Sequence, residues 1–144
     1  MLERRPIQNG ETMFLTTVTR NRQKFFADNA AARIAVEALY TIQHFYPFFL
    51  HGFVIMPDHC HFLIRIPEYG SVSKMMGVYK RAVSFNVGRG PLWQSRFDCR
   101  MPDNIYATLD YIHGNPVTAG LCEIPEAYPW SSASGKWDIH PYEM

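Results

Sequence analysis

Apolar and polar residues alternate along several short stretches of the chain, a pattern typical of β-strands with one buried face. The clearest stretch is "HCHFLIRI" at residues 59–66, where every second side chain belongs to an apolar series. The apolar stretch before it is separated from it only by Pro57 and Asp58, which favour a tight turn. The pattern predicts strands over residues 11–20, 48–56, 59–66 and 92–101.

Three other segments repeat their apolar residues at helical spacing. They predict helices over residues 28–45, 71–87 and 102–116, the last closed by Pro116. The order is then strand, helix, strand, strand, helix, strand, helix. Strands joined by a short turn pair antiparallel, and helices are expected to cover one face of such a sheet. We therefore predict one α+β domain over residues 1–144, a ferredoxin-like sandwich with an antiparallel sheet and its helices packed on one face.

Composition limits the class of protein. Hydrophobic residues make up 47% and aromatic residues 15% of the 144 positions, which suits a packed globular chain. No apolar run approaches the roughly 20 residues that cross a bilayer, and the first residues lack an apolar signal core, so we expect no membrane partner and a cytoplasmic location. The three cysteines show no CxxC spacing and are read as idle thiols.

Charge is distributed unevenly although the net charge is only +1. Residues 1–100 carry 13 Lys and Arg against 7 Asp and Glu, whereas residues 101–144 carry 1 against 6. A basic front and an acidic tail suit a face that binds a polyanion. Ordinary solvated surface charge explains the same numbers about equally well.

Two histidines share one face of the predicted strand 59–66. Because side chains alternate, Cys60 and Phe62 point to the apolar face while His59 and His61 point together to the other. Two imidazoles on one face are compatible with a metal site, but exposed or ordinarily hydrogen-bonded histidines are the commoner explanation of such a pattern. A metal site would need a third ligand.

The last predicted helix supplies polar groups that could complete such a site. Ile105, Leu109 and Ile112 form its apolar stripe. Tyr111 lies away from this stripe, and Asn115 follows four residues later on the same side. The helical geometry of Asn115 is in doubt, because the following proline disfavours it.

Together, "MPDHCHFL", "LDYIHGNPVTAGL" and "YPWSS" resemble the single-tyrosine HUH transposases, and most closely the branch of REP-associated tyrosine transposases. The resemblance implies that His59 and His61 are metal ligands, that Tyr111 is the nucleophile, and that Asn115 completes the metal site. It also implies a divalent cofactor, Mg²⁺ or Mn²⁺. Asp58 departs from the family pattern, in which Asn is frequent at this place.

The activity implied by the resemblance is cleavage and rejoining of single-stranded, hairpin-associated DNA through a 5′-phosphotyrosine intermediate. The protein would act as a monomer or a homodimer. Candidate DNA contacts combine cations with one aromatic ring: Arg4, Arg5, Arg20, Arg22, Lys80, Arg81, Trp93 and Arg96. Two alternatives stay open, namely a non-catalytic nucleic-acid-binding module of ferredoxin-like fold and a metal-dependent hydrolase that uses water.

Overall fold

The computed structural model describes residues 10–142. Its strands and helices follow the predicted order. They are β1 (Thr12–Thr19), α1 (Asn29–Gln43), β2 (Phe49–Met56), β3 (His59–Arg65), α2 (Val72–Val87), β4 (Trp93–Arg100) and α3 (Ile105–Thr118). Within this described part, no helix has the length and apolar character needed to cross a bilayer.

The four strands form one antiparallel sheet in the order β2-β3-β1-β4. The predicted α+β class and ferredoxin-like antiparallel sheet are therefore confirmed. Leu15 and Phe62 pair across β1 and β3 and are fully buried on one sheet face. The Phe62 ring packs on Tyr79 of α2, and the Tyr79 hydroxyl donates to the Ala35 carbonyl of α1 over 2.8 Å. Helices α1 and α2 thus cover this face together.

Helix α3 lies on the opposite face, so the expectation that all helices share one face is wrong for α3. That second face also carries apolar side chains, including fully buried Leu63, and it needs a cover. A glycine allows close approach, because a Cβ added at Gly52 would lie 2.3 Å from Leu109 Cδ1 of α3. The position of α3 brings its polar side chains to the face that carries His59 and His61.

Helix α3 also continues past Pro116, which was predicted to close it. The helix ends two residues later, where the Gly120 amide donates to the Val117 carbonyl and the Leu121 amide to the Pro116 carbonyl. This is a Schellman ending, with Gly120 at a φ of 76° that favours glycine. Asn115 consequently lies within the helix, one turn beyond Tyr111.

The segment after α3 packs against β2 and holds the helix in place. The Trp130 carbonyl accepts from the Ile55 amide over 2.8 Å, along the outer edge of β2. The Ser132 hydroxyl accepts from the Phe53 amide over 3.0 Å and lies 2.7 Å from Nε2 of His113 on α3. This tail is packed although it contains only short 3-10 turns, and it connects α3 to the sheet.

Candidate active site

The two imidazoles project from the start of β3 onto the face covered by α3. His59 is paired with Val18 and His61 with Thr16 of β1. The ring centres of the histidines are 4.7 Å apart. The alternation of side chains along β3 therefore places both rings together, as the sequence predicts.

Each imidazole is oriented by a hydrogen bond at Nδ1. Nδ1 of His59 lies 2.7 Å from Oδ1 of Asp58, and a carboxylate there requires Nδ1–H as the donor. Nδ1 of His61 lies 2.9 Å from the Thr16 hydroxyl. When Nδ1–H donates to that hydroxyl, Nε2 of the neutral His61 ring keeps its lone pair. Such outer partners are what orient metal-binding histidines in proteins.

The turn before α1 adds a positive charge to this arrangement. Arg22 lies in a left-handed backbone conformation, with φ at 52°, and its guanidinium donates to Oδ2 of Asp58 over 3.1 Å. Partial burial alone would raise the pKa of Asp58, but the hydrogen bonds and charges of His59 and Arg22 outweigh it and lower that pKa. The carboxylate therefore stays ionised at neutral pH.

Burial sets the charge of the second histidine. The side chain of His61 is removed from water by β1 and α3, and this burial, with the neighbouring His59, lowers the pKa of His61 to about 3. The ring is neutral at physiological pH. A neutral imidazole is the form that binds a metal ion.

Tyr111 and Asn115 face the two imidazoles across a cavity of about 460 Å³. The Tyr111 ring centre is 5.6 Å from that of His61 and 6.2 Å from that of Phe14 on β1. The Tyr111 side chain is 57% exposed, so an incoming strand can reach it. One chain thus brings all four predicted site residues into one cavity.

The donor set of this cavity fits a divalent ion when Asn115 takes part. The described residues contain no group of three His, Cys, Asp or Glu placed to hold a metal. The two imidazoles therefore need a donor of another type, and the Asn115 amide, which lines the same cavity, is available. Two nitrogen donors and one amide oxygen, with open positions left over, suit a catalytic divalent ion.

The predicted DNA contacts divide into several groups. Arg20, Arg81 and Arg96 are exposed, and Arg22 lies at the wall of the active-site cavity. Arg4 and Arg5 lie outside the described residues. Exposed cations of this kind are available to phosphates.

Lys80 and Trp93 have a structural role that the sequence did not reveal. Nζ of Lys80 donates to the Gln94 carbonyl over 2.7 Å, and Nε1 of Trp93 donates to the Lys80 carbonyl over 3.0 Å. The Trp93 ring is half-buried against Phe26, 5.5 Å between centres. These contacts connect α2 to β4.

Sequence reasoning missed Thr16 and the role of Asp58. The side chain of Thr16 alternates with buried neighbours like any strand residue, and only strand pairing reveals that it faces His61. Asp58 carried a usable signal, because a carboxylate directly before a candidate ligand can bind its Nδ1–H. The sequence interpretation assigned Asp58 to the turn alone.

A ferredoxin-like sheet that presents two imidazoles to a tyrosine on a covering helix defines the class of single-tyrosine HUH transposases. Comparison with known families supports this: residues 11–114 match the family described as "Transposase IS200 like". The chain belongs to this family of transposases. It is an enzyme class, so the alternative of a binding module without catalysis is set aside.

Curated relatives give the same picture. A Haemophilus influenzae protein, provisionally described as a REP-associated tyrosine transposase, is 29% identical over 96% of this chain and 89% of that protein. The REP-associated tyrosine transposase of Escherichia coli K12 is 26% identical over 90% of this chain and 80% of that protein. The similarity therefore covers at least 90% of this chain and at least 80% of each relative.

Solved structures confirm the fold. The structure of a REP-associated tyrosine transposase bound to a REP hairpin matches with a TM-score of 0.80 and 25% identity, over 100% of this chain and 95% of that one. A Deinococcus radiodurans protein, provisionally described as a transposase, matches in fold with a TM-score of 0.53 and 15% identity. That match covers 80% of this chain and 97% of the other.

Proposed function

We propose that this transposase cleaves and rejoins single-stranded DNA beside a hairpin, through a 5′-phosphotyrosine link to Tyr111. The observation that supports it most is the common cavity of Tyr111, His59, His61 and Asn115. An exposed phenol lies next to two imidazoles whose Nδ1 atoms are already hydrogen-bonded, to Asp58 and Thr16, and this combination suits covalent attack beside a metal ion. The proposal assigns a role to each of these groups.

His59, His61 and Asn115 would hold a divalent ion, Mg²⁺ or Mn²⁺. When bound, such an ion supplies charge that polarises the scissile phosphate and offsets the charge that develops there. Asp58 and Thr16 would keep the two imidazoles turned so that each Nε2 points to the cavity. Because the ring of His61 is neutral, no proton needs to leave it before the ion binds.

Tyr111 would perform the covalent step. Its oxygen attacks the phosphorus, a new O–P bond forms, and the bond from phosphorus to the 3′ oxygen breaks. The phenolic proton passes to solvent at the exposed ring, and the leaving 3′ oxygen takes up a proton. One phosphodiester replaces another, so the reverse reaction can join a strand without a nucleotide energy source.

The charges around the cavity suggest how the strand is held. The Arg22 guanidinium, shared with Asp58, lies at the cavity wall, where it can bind a phosphate next to the scissile one. Arg20, Arg81 and Arg96 are further candidates for phosphate contacts. A relative has been solved bound to a REP hairpin, and we propose hairpin DNA as the partner of this chain too.

A single chain is sufficient for the proposed reaction. The tyrosine and the imidazoles line one cavity of the same copy, so a monomer would carry all of the proposed groups. A hydrolase that activates water instead would leave Tyr111 without a role. The two mechanisms differ in one observable, the covalent adduct.

The experiment is incubation with labelled single-stranded hairpin DNA and Mn²⁺, followed by a denaturing gel. We expect a slow-migrating protein–DNA adduct that is lost in the Tyr111→Phe variant. Tyr69→Phe is the matched control, because Tyr69 is an exposed phenol in the loop before α2 and does not line this cavity. Adducts that persist in Tyr111→Phe, or products without any adduct, would overturn the proposal.

A further inference from the structure

A second cavity, of about 650 Å³, lies on the sheet face that carries the active site. It is bounded by the beginnings of β1 and β2, the end of β3, the first turn of α3 and the segment 140–142. Arg65 at its wall is four residues beyond His61 on the same strand, roughly 13 Å away along it. A cavity of this size suits a small ligand or one unit of a polymer.

A β-bulge places a histidine in this cavity. The pairing of β2 with β3 shifts between Leu50 and Gly52, so His51 is the extra residue and is free to turn toward the cavity face. Nδ1 of His51 lies 2.7 Å from the His140 carbonyl and must therefore donate to it. In the neutral ring Nε2 is then an acceptor.

Nε2 of His51 has no hydrogen-bond donor near it in the part of the chain that the structure describes. His51 is 5% exposed, and its Nε2 is buried without a hydrogen-bond partner among the described residues. Buried polar atoms are nearly always paired in proteins, so an unpaired one at a cavity wall indicates a ligand that donates to it. Burial also lowers the pKa of His51, which favours the neutral, accepting ring.

Aromatic rings and a cation complete the walls. The Arg65 guanidinium carbon lies 4.2 Å from the centre of the Phe49 ring. The Tyr142 ring meets His51 edge-on, with centres 5.5 Å apart. Glu11 is the acidic residue of the lining and is exposed at the rim. Aromatic surface beside a cation is the arrangement that holds unpaired bases.

We propose that this cavity binds one unpaired nucleotide of the DNA strand that runs to the active site. The base displaces the Tyr142 ring from its edge-on contact with His51, packs on that tyrosine ring and donates an N–H to Nε2 of His51 in the imidazole plane. Its phosphate binds Arg65. This inference rests on the proposed function, because it requires that single-stranded DNA cross the face between β3 and α3.

The test compares two labelled oligonucleotides by fluorescence anisotropy, a bare hairpin and the same hairpin with single-stranded flanks. Arg65→Gln and Tyr142→Ala should each weaken binding of the flanked hairpin about fivefold or more and change the bare hairpin less than about twofold. Arg33→Gln, which removes an exposed charge from α1, is the matched control and should change neither. Thermal unfolding of each variant confirms that it is folded.

Abasic substitution along the flank locates the nucleotide. One abasic position should reproduce the fivefold loss in the parent protein and add little in Tyr142→Ala. Equal losses on both oligonucleotides, or flanks in which no abasic position matters, would overturn the inference while leaving the adduct of Tyr111 intact. A protein that binds neither oligonucleotide would overturn the proposed function, and this inference with it.

Discussion

Asp58 should control metal affinity although it is not itself a proposed ligand. The carboxylate accepts from Nδ1 of His59 over 2.7 Å and from Arg22 over 3.1 Å. Asp58→Ala removes the group that fixes the tautomer and rotation of His59. Loss of an outer partner of this type weakens metal binding about 10- to 100-fold, or about 1.4–2.7 kcal/mol. Asp58→Asn keeps an oxygen for Nδ1–H and loses only the charge, so its effect should be smaller.

The assay is titration of the purified protein with Mn²⁺, with free Mn²⁺ followed by electron paramagnetic resonance, so that no activity is needed. Glu37→Ala is the control, because it removes an equal charge from the exposed side of α1, behind the opposite sheet face. The expected order of affinity is parent, then Asp58→Asn, then Asp58→Ala. If Asp58→Ala bound Mn²⁺ as tightly as the parent, the orienting role of the carboxylate would be refuted.

Two further predictions concern the packing and charge of the site. Gly52→Ala should lower the free energy of unfolding, measured with urea, by about 1–3 kcal/mol and reduce adduct formation, because the added Cβ would press on Leu109 and displace α3. The control is Gly114→Ala on α3, where an added Cβ meets open space, and it should not lower the free energy of unfolding. In the metal-free protein, the free energy of unfolding should fall as the pH decreases from about 6.5 toward 3, because only the unfolded chain protonates His61 in that window. The decrease due to this one proton is at most about 1.4 kcal/mol per pH unit. His61→Gln should flatten this slope, and a slope that does not change would contradict the burial of that ring.

The sequence predicted the imidazole face correctly because alternation along a strand is a local property. Placing His59 and His61 together needed only their spacing, and placing Tyr111 with Asn115 needed only the helical repeat. Local patterns could not predict which sheet face α3 covers, because the apolar stripe of a helix does not specify the surface on which it packs. The decisive features, Gly52 beneath Leu109 and the apolar second face, depend on contacts between elements distant in the chain.

Other errors have similar causes. Pro116 was taken as the end of α3, but the helix continues and finishes in a Schellman ending at Gly120. The charge of Lys80 and the ring of Trp93 also gave no sign of the backbone carbonyls that these side chains bind, and their role as DNA contacts stays a prediction. The bulge at His51 could not be recognised from the sequence, because the mostly apolar residues of β2 do not alternate with polar ones.

The identity of the covalently modified residue tests the central claim most directly. After reaction with hairpin DNA and Mn²⁺, the adduct can be digested with nuclease and trypsin and the modified peptide sequenced by mass spectrometry. We expect a nucleotide remnant on Tyr111, in the tryptic peptide that spans residues 101–136. A remnant on any other residue, or strand cleavage without a modified tyrosine, would contradict the assignment of Tyr111 as the nucleophile.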